Sequence, residues 1–389
     1  MRYRIRTFNQ ISERGLARLP RAQYEIGDCD DPDAILVRSS DLHALELGPA
    51  LKAIGRAGVG TNNIPVARAS QRGIPVFNAP GANANAVAEL VLAMLVVAAR
   101  NIIPALRYVD ELQGDDREGV EAAKSRFAGL EITRRTLGVV GLGAIGAMVA
   151  QDASHLGMRV LGFDPYLKPG ATGQLPPQLE RVTTLDELLG RADFVTLHVP
   201  LVTATRNLID GARIARMKRG AVLLNFAREG IVDAQAVIAA LGEGHLASYM
   251  CDFPSAQLAG VPNALALPHL GACTAEAEEN CATMVIDAVR DYLEHGIIRN
   301  SVNFPDVDMA RESPYRVGIA NANVPNMLGQ ISSAMARGGL NIHNMENHSR
   351  GEMAYTLVDV DSEIDDEVVG AIASIHGVLS VRMIPLLEA

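Results

Sequence analysis

Two residues with complementary chemistry follow apolar segments in the second half of the chain. Arg228 comes just after the run 221–226, and His269 comes just after the run 264–267. A guanidinium binds a carboxylate through two parallel hydrogen bonds, and an imidazole exchanges a proton near neutral pH. Hydride transfer at a hydroxy acid needs both groups. Taken singly, each residue has an ordinary alternative: a surface ion pair with Glu229 for the arginine, or a capping role for the histidine.

A glycine-rich turn between two apolar segments predicts where a cofactor binds. The run 136–140 is followed by Gly141-Leu142-Gly143-Ala144-Ile145-Gly146, then a helical stretch, then the run 159–163, which ends at Asp164. The glycines permit a tight turn and close approach of the backbone to a pyrophosphate at a helix N-terminus. Asp164 is placed to hold ribose hydroxyls and would repel the 2′-phosphate of NADP by roughly 4 kcal/mol. The motif therefore predicts NAD.

The bulk properties limit the class of protein. A chain of 389 residues, 48% hydrophobic and 21% charged, predicts two or three globular domains. A net charge of −10 argues against a nucleic-acid partner, so an anionic substrate must meet a local cluster of arginines. The four cysteines show neither disulfide nor metal-ligand spacing, which indicates reduced thiols in the cytoplasm and no metal. The apolar run 90–99 is too short to cross a membrane, and no signal peptide is evident.

Two regions alternate apolar strands with intervals long enough for helices. Such runs indicate parallel strands buried on both faces, and hence two doubly wound parallel-sheet domains of the Rossmann or flavodoxin type. A long helix is predicted from Asn83 or Asn85 to Arg100, with Pro104 bending or ending it. The predicted strands are 34–37, 51–54 and 74–77 in the first region, and 194–199, 221–226 and 264–267 in the second.

The last third of the chain has a different pattern. A helix over 276–295 presents apolar positions that predict packing onto the first region, and 299–314 is predicted to be a linker. The tail is predicted to be a βαββαβ ferredoxin-like domain. Its strands are predicted at 316–320, 341–343, 353–360 and 378–384, and its helices at 327–336 and 365–375. The predicted domains are therefore 1–100 with 273–312, 101–272, and 313–389.

Six motifs of the chain occur together in one known superfamily. They are 56–63 (RAGVGTNN), 77–83 (FNAPGAN), the glycine turn, 198–201 (HVPL), 225–228 (NFAR) and 268–272 (PHLGA). Through them the chain resembles the D-2-hydroxyacid dehydrogenase superfamily, and within it the shorter D-3-phosphoglycerate dehydrogenases. The resemblance covers nearly the whole chain, and through 323–328 and 340–342 the tail resembles an ACT domain.

The resemblance implies an activity and roles for individual residues. The implied reaction is NAD-dependent oxidation of 3-phospho-D-glycerate to 3-phosphohydroxypyruvate, the first step of L-serine biosynthesis, in a homodimer or homotetramer. Arg228 would bind substrate and His269 would be the acid–base group. The other implied substrate residues are Arg38, Arg56, Gly58, Val59, Gly60 and Asn78, with Lys124 or Arg126 from a second subunit. Beyond the glycine turn and Asp164, the implied cofactor residues are His198, Val199, Pro200, Thr205, Ala227, Arg228, Asp252, His269 and Gly271.

Two features of the resemblance carry further expectations. Family members usually place a glutamate before the histidine, whereas this chain has Gln257 there, so we expect Gln257 or Asp252 to orient His269. The tail is expected to bind L-serine as a feedback effector, or else to serve only in oligomerisation. The expected effector residues are Asn323, Pro325, Asn326, Met327, Leu328, Asn341 and Ile342.

Two other functions stay open from the sequence. One is a related dehydrogenase that acts on glyoxylate, hydroxypyruvate or 2-oxoglutarate, against which Arg38 and Arg56 argue mildly. The other is a non-catalytic regulator that senses NAD, against which the presence of both Arg228 and His269 argues.

Overall fold

The structure is a computed structural model that describes residues 2–112, 117–167 and 175–386. The chain forms two compact units. The first unit contains residues 1–83 and 275–389, and the second contains residues 84–274.

The first unit contains a five-stranded parallel sheet with the strand order β2-β1-β3-β4-β5. This order matches the flavodoxin-like doubly wound arrangement. Its elements are β1 (Tyr3–Phe8), α1 (Glu13–Leu16), β2 (Tyr24–Gly27), β3 (Ala34–Val37), β4 (Ala53–Arg56), α2 (Val66–Gln71) and β5 (Val76–Phe77).

The second unit contains a seven-stranded parallel sheet with the order β12-β11-β10-β9-β6-β7-β8. The strand order reverses between β6 and β9, and ligands of doubly wound sheets bind beside such a switch point. The helices are α3 (Ala84–Ala99), α4 (Ile102–Asp110), α5 (Arg117–Ala123), α6 (Ala144–His155), α7 (Leu185–Arg191), α8 (Gly211–Ile214) and α9 (Ala234–Gly242). The strands are β6 (Thr136–Val140), β7 (Arg159–Phe163), β8 (Glu180–Arg181), β9 (Phe194–Leu197), β10 (Ala221–Asn225), β11 (Leu246–Cys251) and β12 (Ala264–Ala266).

The predicted domain boundary at residue 100 differs from the observed division at residue 83. Helix α3 belongs to the second unit because Val87, Val91 and Leu95 share a core with Leu137 and Val139 of β6. Helix α3 spans the predicted range closely. The chain turns before Pro104, at Asn101, which has a left-handed φ of +50° and precedes α4.

The long helix α10 (Ala275–His295) returns the chain to the first unit. It packs against β4 and α1, as the apolar spacing predicts, and buries Val285, Ile286, Val289 and Leu293. At a rise of 1.5 Å per residue, α10 extends over about 30 Å.

The C-terminal segment of the first unit forms a four-stranded antiparallel sheet with the order β14-β15-β13-β16. The element order is βαββαβ, as predicted, and its two helices share an apolar core with the sheet. Its elements are β13 (Tyr315–Ala322), α11 (Met327–Arg337), β14 (Ile342–Arg350), β15 (Met353–Val360), α12 (Asp366–Ala373) and β16 (Val378–Ile384).

A buried ion pair links β13 and β15 of this sheet, and its arginine also bonds to the segments before the sheet. Both side chains of Arg316 and Asp359 are fully buried, and Arg316 Nε lies 2.6 Å from a carboxylate oxygen. The guanidinium also donates to the carbonyls of His295, Met309 and Ala310, so all five of its N–H groups have acceptors.

The predicted linker 299–314 is not an exposed tether. Phe304, Val307 and Met309 are buried in the same core as α10. The polar residues that suggested a linker have structural partners instead, since Asp308 forms an ion pair with Arg299.

No single helix in the described parts of the chain is both long and apolar enough to cross a membrane. Helices α3 and α4 meet the length and composition requirements only together, and they are bent by 68° at the break between them. All four cysteines lie in described segments, and none forms a disulfide.

Candidate functional site

The glycine turn leaves helix α6 with an uncovered N-terminus. Gly141 has φ +93°, and an added Cβ would lie 2.6 Å from the carbonyl oxygen of His198. A Cβ at Gly146 would overlap the carbonyl oxygen of Gly141. Gly143 caps α6 without a side-chain hydrogen bond and is open, because an added Cβ would meet no atom within 4 Å. The first and third glycines are therefore required by packing, and the middle one leaves room for a phosphate at the helix dipole.

Asp164 is fixed beside this turn by backbone groups. One carboxylate oxygen accepts the N–H of Leu142 at 2.9 Å, and the other accepts the N–H of Tyr166 at 2.9 Å. A carboxylate has about four lone-pair sites, so each oxygen can still accept a hydroxyl. The half-buried Asp164 thus fits the ribose-binding role.

The strand across the switch point, β9, is followed directly by His198. Its Nε2 lies 3.0 Å from the hydroxyl of Thr196, and its buried Nδ1 has no hydrogen-bond partner among the described residues. Burial lowers the pKa of His198 to about 3, so the imidazole is neutral at pH 7. Thr205 closes the following loop, since its hydroxyl accepts the N–H of Val202 at 2.8 Å and donates to the carbonyl of Pro200.

Arg228 follows β10 and is exposed. Its guanidinium donates to the carbonyl of Ala227 at 2.6 Å, and in the described segments it has no carboxylate partner, so the alternative of an ion pair with Glu229 is not observed. The loop is held by the fully buried Asn225, which donates to the carbonyl of Arg228 at 2.9 Å and accepts the N–H of Ala227 at 3.3 Å. The arginine is therefore fixed at its backbone and open at its tip.

His269 follows β12 in an unusual backbone conformation. It has a left-handed φ of +59°, is exposed, and donates its N–H to the carbonyl of Leu267 at 3.0 Å. The next two residues are held by Asp252, which is 2% exposed and accepts the N–H groups of Leu270 and Gly271 at 2.7 Å each.

The expected hydrogen bond from Gln257 or Asp252 to the His269 ring is not observed. Gln257 is exposed and forms no hydrogen bond with His269, while Asp252 holds the backbone of the histidine loop rather than the ring. The ring instead meets Phe253 edge-on, with centroids 5.4 Å apart and an angle of 73°.

The loops of Arg228, Asp252 and His269 follow three neighbouring parallel strands, β10, β11 and β12. Their carboxyl ends lie at one edge of the sheet, and the outer two strands are about 10 Å apart. The second unit therefore places the predicted cation and proton carrier at the same sheet edge.

Arginines also follow neighbouring strands of the first unit. Arg38 follows β3 and Arg56 ends β4; Arg56 Nε donates to the carbonyl of Arg38 at 3.0 Å. The guanidinium of Arg56 lies over Gly58, where a Cβ would overlap it. Asn78 donates to the carbonyl of Val59 at 2.6 Å and so holds the loop that contains Gly60.

The sequence reasoning gave no role to three residues that organise these loops. Asn9 accepts the N–H groups of Ser39 and Ser40, Asn225 holds the Arg228 loop, and Glu278 forms an ion pair with Arg38 at 2.5 Å. Asn9 and Asn225 each lie at the end of a strand, which is a usable signal. Glu278 is distant along the chain and gave none.

The expected effector residues form two groups at opposite ends of the antiparallel sheet. Asn323 follows β13, whereas Asn341 precedes β14, and β13 and β14 run in the same direction on either side of β15. Asn323 and Asn341 therefore lie at opposite ends of the sheet within one chain, and the expectation that both hold one amino acid at a domain–domain interface stays a prediction. Asn323 donates to the carbonyl of Gly351, and the carbonyl of Asn341 accepts the N–H of Asp361.

Lys124 and Arg126, the residues expected to act from a second subunit, are exposed in the second unit. Lys124 forms an ion pair with Glu121 at 3.0 Å, and Arg126 lies over the rings of Tyr108 and Phe127.

Comparison with known proteins gives consistent matches. The family described as D-isomer specific 2-hydroxyacid dehydrogenase, NAD binding domain, matches residues 92–271. The solved structure of the TT0316 protein from Thermus thermophilus is 29% identical, has a TM-score of 0.63, and covers 77% of this chain and 99% of its own. An NAD+-bound 3-phosphoglycerate dehydrogenase from Entamoeba histolytica shares the fold at 24% identity, with a TM-score of 0.62 over 78% of this chain and 99% of its own.

Curated relatives extend the similarity over most of the chain. A D-3-phosphoglycerate dehydrogenase of Methanocaldococcus jannaschii is 35% identical over 342 residues, which are 85% of this chain and 62% of the relative. The chain thus spans about three fifths of the length of several relatives it matches. A D-3-phosphoglycerate dehydrogenase of Haemophilus influenzae is 33% identical over 353 residues, 87% of this chain and 83% of the relative. The chain belongs to the D-3-phosphoglycerate dehydrogenase family of the D-2-hydroxyacid dehydrogenases.

Proposed function

We propose that the protein oxidises 3-phospho-D-glycerate to 3-phosphohydroxypyruvate with NAD, the first step of L-serine biosynthesis. One observation carries the proposal. Arg228, which is exposed and has no carboxylate partner among the described residues, and the exposed His269 follow strands of the same parallel sheet. The switch point of this sheet holds the N-terminus of α6, which has no side-chain cap. A cation, a proton carrier and a phosphate site together suit hydride transfer at an anionic hydroxy acid.

Each residue has a defined part in the proposed reaction. Bound NAD supplies the acceptor for the hydride that leaves C2 of the substrate. His269 accepts the proton of the C2 hydroxyl, so the C–H and O–H bonds break as the carbonyl forms. Arg228 binds the substrate carboxylate and polarises the forming carbonyl, while Arg38 and Arg56 bind the anionic end.

The proposed preference for NAD rests on Asp164. Its carboxylate would lie against the 2′-phosphate of NADP, and like charges at that distance repel by several kcal/mol. The variant Asp164→Asn keeps an oxygen that can accept a backbone N–H but loses the charge. We expect its ratio of kcat/KM for NAD over NADP to fall by at least tenfold, with Asp210→Asn, a helix cap of α8, as the control.

The second candidate is a dehydrogenase for a less charged hydroxy acid, such as glyoxylate or hydroxypyruvate in the reverse direction. The ion pair of Arg38 with Glu278 supports this candidate only if the pair stays closed when substrate binds, because a permanent pair would lower the positive charge available for a phosphate. Steady-state assays of the purified protein with each substrate separate the two. A kcat/KM for 3-phosphoglycerate below that for glyoxylate would select the second candidate, and no turnover of any hydroxy acid would leave the NAD-sensing regulator.

We also propose that the βαββαβ segment is an ACT domain that binds L-serine, in a homodimer or homotetramer. Its topology supports this, and the separation of Asn323 from Asn341 means that one ligand can touch both only where two copies meet. Inhibition assays test this proposal. L-serine should inhibit the full chain, and the variant Asn323→Ala should lose the inhibition while its activity without serine stays the same. Serine that binds but leaves the rate unchanged would reduce the segment to an assembly role.

A further inference from the structure

The ion pair between Arg38 and Glu278 has features of an exchangeable contact. Arg38 Nη2 lies 2.5 Å from a Glu278 carboxylate oxygen, and the two side chains are 35% and 39% exposed. Ion pairs with this exposure stabilise a protein by at most about 1 kcal/mol. An incoming anion can therefore replace Glu278 on Arg38 at little cost.

Glu278 is fixed in place independently of its partner. It lies in the first turn of α10, where a carboxylate is favoured by the helix dipole, and α10 is anchored by its buried face along β4 and α1. Arg38 is the partner that can move away, because its side chain is long and the residue lies just after the end of a strand.

The charge balance beside Arg38 is unusual for a site that binds a phosphate. Arg38 and Arg56 lie at neighbouring strand ends, and Glu278 places a negative charge against Arg38. The side of α10 facing these arginines adds the thiol of Cys281, whose pKa is raised by burial, so it brings no second negative charge. Among the described residues, Glu278 is the only carboxylate in ion-pair contact with Arg38.

We propose that Glu278 is a specificity-determining counter-ion that occupies Arg38 until a multiply charged substrate anion displaces it. A small monoanion carries no more charge than the tethered carboxylate and competes poorly with it. A phosphate group carries about −1.5 to −2 at pH 7 and competes well. The inference rests on the proposed role of Arg38 in binding the substrate anion.

The test uses Glu278→Gln in the full chain, with Glu279→Gln as the matched control. Glu279 is the next residue on α10 and pairs with Arg14 instead. Calorimetry measures the Kd of 3-phosphoglycerate, inorganic phosphate and acetate, and steady-state assays measure KM and kcat. We expect Glu278→Gln to bind phosphate and 3-phosphoglycerate three- to tenfold more tightly and acetate by at least as large a factor. KM should fall with kcat within twofold, and Glu279→Gln should match the wild type.

A second background shows whether the effect passes through Arg38. In Arg38→Ala, the further change Glu278→Gln should alter the Kd of phosphate by less than twofold. If Glu278→Gln tightens phosphate binding equally with and without Arg38, the effect is a general charge effect and the proposed exchange is wrong. Unchanged or weaker phosphate binding in Glu278→Gln alone would also contradict the exchange. Wild-type protein that binds phosphate but never turns over 3-phosphoglycerate would instead count against the proposed function alone.

Discussion

The two units hold their charged groups in opposite ways. In the first unit, Arg38 and Arg56 are half-buried, and Glu278 neutralises part of their charge. In the second unit, Arg228 and His269 are exposed, and the buried residues are the polar anchors Asn225 and Asp252 that hold their loops through the backbone. If the proposed roles hold, the charge that binds the substrate anion is balanced before binding, whereas the groups proposed for the chemistry have no charged partner among the described residues.

The largest effect should come from removing the proton acceptor. His269→Gln keeps a polar side chain of similar length but cannot take a proton near neutral pH, so we expect kcat to fall by about 10²- to 10⁴-fold. The Kd of 3-phosphoglycerate should change little, because Arg228 and the arginines of the first unit stay. His245→Gln, a half-buried histidine bound to the carbonyl of Ile214, is the control. A kcat within threefold of the wild type would assign the proton to another group.

The next largest effect should be on stability, and it compares the buried ion pair of Arg316 and Asp359 with the exposed ion pair of Arg38 and Glu278. Arg316→Met leaves Asp359 buried without its partner, and we expect the free energy of unfolding to fall by about 3–5 kcal/mol. Glu278→Gln should change it by less than about 1 kcal/mol. Urea denaturation measures both. The double variant Arg316→Met/Asp359→Leu should recover much of the loss, since no charge is then left buried; a double variant as unstable as the single one would place the cost in packing.

Breaking the anchor of the histidine loop should have an intermediate effect. Asp252→Asn replaces one acceptor oxygen with a donor, so either Leu270 or Gly271 loses its bond and the loop shifts. A displacement of about 1 Å can reduce a rate by 10²-fold, so we expect kcat to fall by about 10- to 100-fold. Hydrogen exchange at the two amides should increase in parallel. Asp210→Asn, which accepts a backbone N–H at a distant helix cap, should leave kcat as it is.

Much of the fold could be predicted because its strands are short, apolar runs. The predicted ranges 34–37, 353–360 and 378–384 match β3, β15 and β16. Strand β1 was missed because arginines alternate with its buried residues Tyr3 and Ile5. That alternation is itself a strand signal, and polar partners from distant segments, such as Asp33 for the backbone of Arg4, satisfy the exposed positions.

The sequence predicted those residues of the site whose own side chains can bind an anion, a proton or a cofactor. Arg228, His269 and the glycine turn were found because each follows an apolar run, and parallel strands bring such positions to one edge. The partners could not be found this way. Gln257 is near His269 in sequence yet forms no hydrogen bond with it, while Glu278 meets Arg38 because α10 packs against β4.

The smallest effect concerns the pH dependence of stability at His198. Burial lowers the pKa of its imidazole to about 3, against about 6.5 in an unfolded chain. The folded state keeps His198 neutral, so its contribution is fully present above about pH 6.5 and is lost as the pH falls towards 3. Between pH 6 and 5.2, above the range in which most carboxylates titrate, His198 should lower the free energy of unfolding by up to about 1.4 kcal/mol per pH unit.

His198→Gln removes this titration, so its unfolding free energy should fall less steeply over the same range, whatever its stability at pH 7. His155→Gln, on the exposed end of α6, should keep the wild-type slope. Urea denaturation at half-unit pH steps gives both slopes. Parallel curves for His198→Gln and the wild type would mean that the pKa of His198 is the same in the folded and the unfolded state, which would contradict a lowered pKa at this position.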